Sequence, residues 1–173
     1  MAGAEVHIDV AQQRLHLVVA GASLRSYSVS TALNGVGEID GSGCTPRGHH
    51  RVRAKVGAGC VPGTVFVARR ATGEIYSPAL AAQHPGRDWI LSRILWLAGC
   101  ERGLNRGGSV DTLRRFIYLH GCPDDCVMGV PASHGCVRMA NADVIDLFDR
   151  VKVGTLVCIH TALVPGQWVS AAP

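Results

Sequence analysis

From Glu5 to Val10 the chain alternates polar and apolar residues, and a period of two predicts a strand with one buried face. Gln12-Gln13 breaks the pattern, and Arg14 to Val19 and Leu24 to Ser30 resume it on either side of Gly21. The opening therefore predicts a β-meander. Asn34 to Gly48, rich in Gly, Ser and Pro, predicts a long loop. Arg51 to Val56 and Thr64 to Ala68 predict further strands, whereas the apolar stretch Trp89 to Leu97 fits strand or helix equally. Arg114 to Leu119 predicts a strand that delivers His120 at its carboxyl end.

The pattern changes after Cys136. Asn141 predicts an N-cap with Asp143 in the first turn, and Val144, Leu147, Phe148 and Val151 follow helical spacing. Gly154 closes that unit, and Thr155 to Thr161 predicts a last strand. The pattern amounts to a mainly β fold with one short helix. It forms one domain over residues 1–164 and a loose tail over 165–173.

Composition narrows the class. Of 173 residues, 47% are hydrophobic and 17% charged, which suits a folded domain with its own core. The formal charge of +4 favours an acidic substrate. It is too small to argue a nucleic-acid partner without an aromatic-basic motif, and none is present. The basic run Arg47, His49, His50, Arg51, Arg53 and Lys55 reads as a solvated strand edge, or else as one wall of an anionic site. No apolar stretch reaches eighteen residues, so no membrane span is expected. The amino end has no basic leader followed by an apolar run. The expected localisation is cytoplasmic, or periplasmic if a leader has been removed. An odd count of 7 cysteines leaves at least one thiol unpaired. Cys158 sits in an apolar run and reads as a small buried hydrophobe. Cys44, Cys60, Cys100, His7, His16, His84 and His160 read as ordinary packed or solvated side chains.

The chemistry concentrates in Ser133-His134-Gly135-Cys136-Val137-Arg138, with His120-Gly121 upstream. A cysteine nucleophile needs a base and donors for an oxyanion. His120, at the end of a separate strand, is the expected base, and His134 the structural or substrate-facing neighbour. Gly135 allows close approach or a positive φ. The N–H groups of Gly135 and Cys136 are the candidate oxyanion donors, Ser133 a hydrogen-bond partner for the turn or for the substrate, and Arg138 a carboxylate clamp. A zinc site drawn from His120, Cys122, Cys126, His134 and Cys136 is the rival.

The segments Phe116-Ile117-Tyr118-Leu119-His120-Gly121 and Ser133-His134-Gly135-Cys136-Val137-Arg138-Met139 resemble the L,D-transpeptidase (YkuD-type) catalytic domain. Ile8 to Leu15, Tyr27 to Thr31 and Thr45-Pro46-Arg47-Gly48 are similar to its opening hairpin, its next strand and its Thr-Pro-x-Gly turn. The resemblance spans roughly residues 5 to 160. It implies a β-sandwich or barrel-like fold with the thiol in a cleft under a flap. It further implies attack of Cys136 on the L,D bond of a peptidoglycan stem tetrapeptide, with release of D-alanine. His120 maps onto the family's base, and the Gly121 carbonyl would orient its ring. Carbapenems are the implied covalent inhibitors, and no metal or organic cofactor is required. A cytoplasmic chain would meet soluble muropeptides. The expected reaction is therefore hydrolysis (an L,D-carboxypeptidase of wall recycling), ahead of cross-linking or D-amino-acid exchange. A periplasmic cross-linking enzyme and a module that binds wall fragments without cleaving them are the alternatives. Cys122 and Cys126 have no counterpart in the resemblance.

Overall fold

The computed structural model describes residues 3–164 and Trp168. Ten strands occur in the order β1 (Ala4–Asp9), β2 (Arg14–Val19), β3 (Ala22–Ser30), β4 (Gly48–Val56), β5 (Thr64–Val67), β6 (Arg70–Ile75), β7 (Ile90–Gly99), β8 (Tyr118–Gly121), β9 (Val137–Met139) and β10 (Leu156–His160). Helix α1 spans Pro78–Gln83 and α2 spans Asn141–Arg150. Neighbours run β4-β10-β1-β2-β3-β9-β8-β7, and β4 also pairs with β7. That last pairing closes eight strands into a barrel-like sheet, which removes their free edges. The β5–β6 hairpin branches from β7. Among the strands described, β1–β10 and β8–β9 are the parallel pairs.

Alternation along the strands fills the interior with Val6, Ile8, Leu15, Leu17, Leu95, Leu97, Leu119, Val137 and Met139, and α2 adds Val144, Leu147 and Phe148. Each such side chain contributes about 2 kcal/mol on burial. A smaller cluster of Phe66, Ile94 and Tyr118 carries Cys136 against it. The β8–β9 pair is therefore packed on both faces, which makes it a rigid mount.

Several local expectations change. The apolar stretch before Leu97 is strand, since β7 pairs with β4, β5 and β8. Residues 114–117 are not strand. Asp111 winds them into a turn by accepting hydrogen bonds from the Gly107 and Arg114 N–H groups at 2.8 and 3.0 Å. Asn141 is the first residue of α2 rather than its cap; Ala140 stands at the N-cap with no side-chain bond. Strand β9 and helix α1 have too few residues to carry a period, and β6 (Arg70–Ile75) is almost wholly exposed, so its sequence has no buried face to alternate against. Ser77 caps α1 by accepting from the Leu80 N–H at 3.1 Å. Of the tail over 165–173, all but Trp168 lies outside the described residues, and the Trp168 ring packs on His7 and His16.

The basic run is not a strand edge, because β4 is paired on both sides. His50 is fully buried and bonds Thr112 Oγ1 at 3.1 Å; burial lowers its pKa to about 4. Lys55 Nζ donates to the carbonyls of Phe148 and Val151 at 2.6 and 2.7 Å. It thereby supplies the cation that the C-terminal end of α2 needs. Lys55→Met keeps the apolar stem and loses both bonds. It should cost about 2 kcal/mol and lower the melting temperature by roughly 4–8 °C, as read by circular dichroism.

Candidate active site

Strand β9 runs parallel to β8 with His120 beside Arg138 and Leu119 beside Val137. One step back in that register, Tyr118 lies beside Cys136, and its N–H donates to the sulfur at 3.3 Å. Paired positions share a sheet face and residues two apart return to it. Tyr118, His120, Cys136 and Arg138 therefore share one face, with imidazole and thiol as diagonal neighbours. The thiol bonds the carbonyl of Phe116 at 3.4 Å rather than the imidazole. Catalytic hydrogen bonds are commonly loose before substrate enters.

The turn that presents the thiol is held from within. Ser133 Oγ donates to the Cys136 carbonyl and accepts the Gly135 N–H at 3.2 Å. Thr45 Oγ1 donates to the Gly135 carbonyl at 2.9 Å. Gly135 has φ of 135°, and a Cβ there would lie 3.3 Å from both Cys44 O and Ile117 Cδ1. The geometry corrects one expectation: the Gly135 N–H is spent on Ser133, so it is no free oxyanion donor. The Cys136 N–H carries no hydrogen bond among the described residues.

His120 is 1% exposed, and its Nδ1 lies 2.8 Å from the Gly121 carbonyl. A carbonyl only accepts, so Nδ1 holds the proton and Nε2 the lone pair. Gly121 itself admits no side chain: a Cβ would stand 2.5 Å from Asn141 Oδ1 and 2.6 Å from Leu91 O. Asn141 makes this a junction. It accepts from Ser92 Oγ and donates to the Cys122 carbonyl at 2.9 Å.

Arg138 is not a free clamp. Its guanidinium donates to Asp88 Oδ1 at 3.1 Å and to the Ala132 carbonyl at 3.3 Å. His134 is 79% exposed and lies 3.7 Å from the other Asp88 oxygen. The sequence reading missed Asp88, which no motif marks. It also missed Arg69 and Arg115. From the tip of the β5–β6 hairpin, Arg69 donates to Tyr118 Oη at 2.9 Å and stacks on Trp96 and Phe116. Arg115 donates to carbonyls of Gly37, Glu38 and Cys44, which ties the long loop to the site. The zinc constellation does not assemble among the described residues. His120 Nδ1 faces Gly121, the Cys122 thiol bonds the Met139 carbonyl at 3.4 Å, and His134 points outward.

Burial raises the Cys136 thiol to about 12, with the Tyr118 N–H opposing it. Burial lowers His120, with the Gly121 carbonyl opposing. The resting pair is therefore neutral thiol and neutral imidazole.

Residues 3–159 match the YkuD family, the L,D-transpeptidase catalytic domain. The chain belongs to this family. Its enzymes work through a cysteine nucleophile. The L,D-transpeptidase domain is 44% identical over 43 residues to the probable L,D-transpeptidase YbiS of Escherichia coli (strain K12). That stretch is 25% of this chain and 14% of the relative. Among solved structures, the L,D-transpeptidase from Xylanimonas cellulosilytica DSM 15894 has a TM-score of 0.54 at 23% identity, covering 92% of this chain and 61% of that one. The LD transpeptidase LdtMt1 in complex with imipenem has a TM-score of 0.55 at 17% identity, covering 92% and 59%. The L,D-transpeptidase domain thus spans only part of its relatives' length, and it shares their barrel-like fold. No helix among the described residues is long and apolar enough to cross a membrane.

Proposed function

We propose that this domain cleaves the L,D bond of a peptidoglycan stem tetrapeptide through a thioester on Cys136. The carrying observation is the shared face of β8 and β9. It sets a half-buried thiol diagonal to an imidazole whose Nε2 lone pair has no partner among the described residues. Because both groups rest neutral, His120 takes the thiol proton as the sulfur attacks the carbonyl of the third residue. The Cys136 N–H is the donor placed for the oxyanion. His120 then returns the proton to the departing D-alanine. Water is the acceptor available when a soluble muropeptide is the only substrate, and the domain then acts as an L,D-carboxypeptidase. With an amine in excess, the same thioester gives exchange or a cross-link.

Arg138 faces the thiol from two residues on, and the Asp88 carboxylate shows the kind of group it holds. A substrate carboxylate would take that place by displacing Asp88. Imipenem, bound by a relative of the same fold, should acylate Cys136.

The test is mass spectrometry with one defined tetrapeptide, with and without a D-amino acid. The expected products are tripeptide and D-alanine alone, and an exchanged tetrapeptide when the amino acid is added. A trapped acyl-enzyme or imipenem adduct should map to Cys136. Binding of the tetrapeptide with no D-alanine release would overturn the proposal in favour of a non-catalytic module.

The pH profile follows from the resting pair. A base must be neutral to accept a proton, so the acid limb of kcat/KM reports the imidazole. Burial holds His120 below its usual 6.5. Activity should therefore persist below pH 6.5 and fall only as the ring protonates. It should then stay level through neutral pH instead of climbing with thiol ionisation. A steady tenfold rise per pH unit between 7 and 9 would contradict this general-base account.

A further inference from the structure

Away from the catalytic face, the barrel register aligns a second set of reactive side chains. His7 on β1 pairs with His16 on β2 and with Cys158 on β10, and Cys158 pairs with His49 on β4. Their sequence neighbours Val6, Ile8, Leu15, Leu17, Val157 and Ile159 enter the core, so this row occupies the opposite face. His160 returns to the same face two residues after Cys158.

We propose that His7, Cys158 and His160 form a binding site for one divalent transition metal of borderline softness, with Zn²⁺ as the reference ion. One ligand atom from each residue lies within 4.8 Å of the others. His7 Nδ1 and His160 Nε2 are 3.1 Å apart. Two nitrogens on a tetrahedral zinc ion sit about 3.3 Å apart, given bonds of roughly 2.0–2.1 Å. The imidazole pair is thus already at the required bite, and the sulfur has only to close on it.

A second contact points the same way. His7 Nε2 lies 3.3 Å from Glu5 Oε2. A carboxylate on the distal ring nitrogen is the usual outer partner of a metal-bound histidine, and it fixes which nitrogen keeps its lone pair. Here it leaves the lone pair on Nδ1, the atom that faces His160. Without metal, the His160 Nε2–H donates across that gap. With metal, the ion replaces this hydrogen, the His160 ring proton moves from Nε2 to Nδ1 by tautomer exchange through solvent, and the Cys158 thiol proton goes to solvent. One thiolate and two imidazoles select zinc or copper over magnesium or calcium. His7 and Cys158 are buried, and a cleft of about 500 Å³ is lined by their neighbours Glu5 and His49 together with Cys100. Three protein ligands leave a fourth position for water. The site ties β1 to β10 and does not involve Cys136 or His120.

Cobalt(II) is a visible probe for such a site. The full chain carrying Cys136→Ala, kept reduced, should bind one equivalent and show sulfur-to-cobalt charge-transfer absorption. Cys158→Ser should abolish that absorption. His160→Gln, at a half-exposed position that tolerates change, should weaken binding by at least about tenfold. Zn²⁺ at about a hundredfold over its dissociation constant should raise the melting temperature by roughly 5–10 °C, and the same zinc concentration should move the His160→Gln variant by no more than about half as much. Absorption that survives Cys158→Ser, or that is lost instead with Cys122→Ser or Cys126→Ser, would overturn the assignment. So would the absence of cobalt binding, or an equal zinc shift in parent and His160→Gln.

Discussion

Cys136→Ala should lower D-alanine release from the tetrapeptide by at least about a thousandfold, leaving only what binding and the remaining donors supply. The sulfur is the one atom here that can carry the acyl group. His120 cannot substitute for it, because the ring is packed beneath the surface with Nδ1 committed to Gly121. The fold should survive. Truncation removes one atom from a half-buried side chain and frees the Tyr118 N–H and the Phe116 carbonyl, at a cost of about 1–2 kcal/mol. A melting temperature lowered by only roughly 2–8 °C, with turnover gone, is the expected pair of results. Turnover within tenfold of the parent would mean that the thiol is not the nucleophile.

Gly121→Ala should damage structure and turnover together. The new Cβ would meet Asn141 Oδ1 and the Leu91 carbonyl at 2.5 and 2.6 Å. Leu91 is backbone of a central strand, and Asn141 is held by Ser92, Cys122 and Asp124, so neither can step aside cheaply. Overpacking of this kind costs about 3 kcal/mol, which lowers the melting temperature by roughly 6–12 °C. Turnover should fall further than unfolding explains, because the Gly121 carbonyl sets the tautomer and aim of His120. The control is Gly3→Ala, where a Cβ meets nothing within 4 Å and no shift is expected. Equal melting temperatures for Gly121→Ala and Gly3→Ala would show that the junction is looser than these distances state.

The two results rest on different kinds of information. The thiol, the imidazole and their order along the chain were legible from residues alone, because a nucleophile and its base are named by residue type. The glycine at 121 was legible only as part of a motif; the reason for it is Asn141 arriving from α2. Asn141 itself was misread. As the first helical residue after β9 it has the chemistry of a cap, but its amide is spent on tertiary partners. Arg138 was misread for a similar reason, since a guanidinium after the thiol looks free until Asp88, fifty residues earlier, is folded onto it.

Local pattern by itself determined the meander, the main helix, the long loop and the span holding the nucleophile. Periodicity and turn chemistry act over a few residues and need no partner. Tertiary structure alone decided that the sheet closes through β4 and β7, that the three-residue β9 is a strand, and that the Gly135 amide is already occupied. It also decided that His7, Cys158 and His160 meet. Each of these depends on register between strands far apart in sequence, and register comes from burying one face of every strand at once. No single segment carries that constraint.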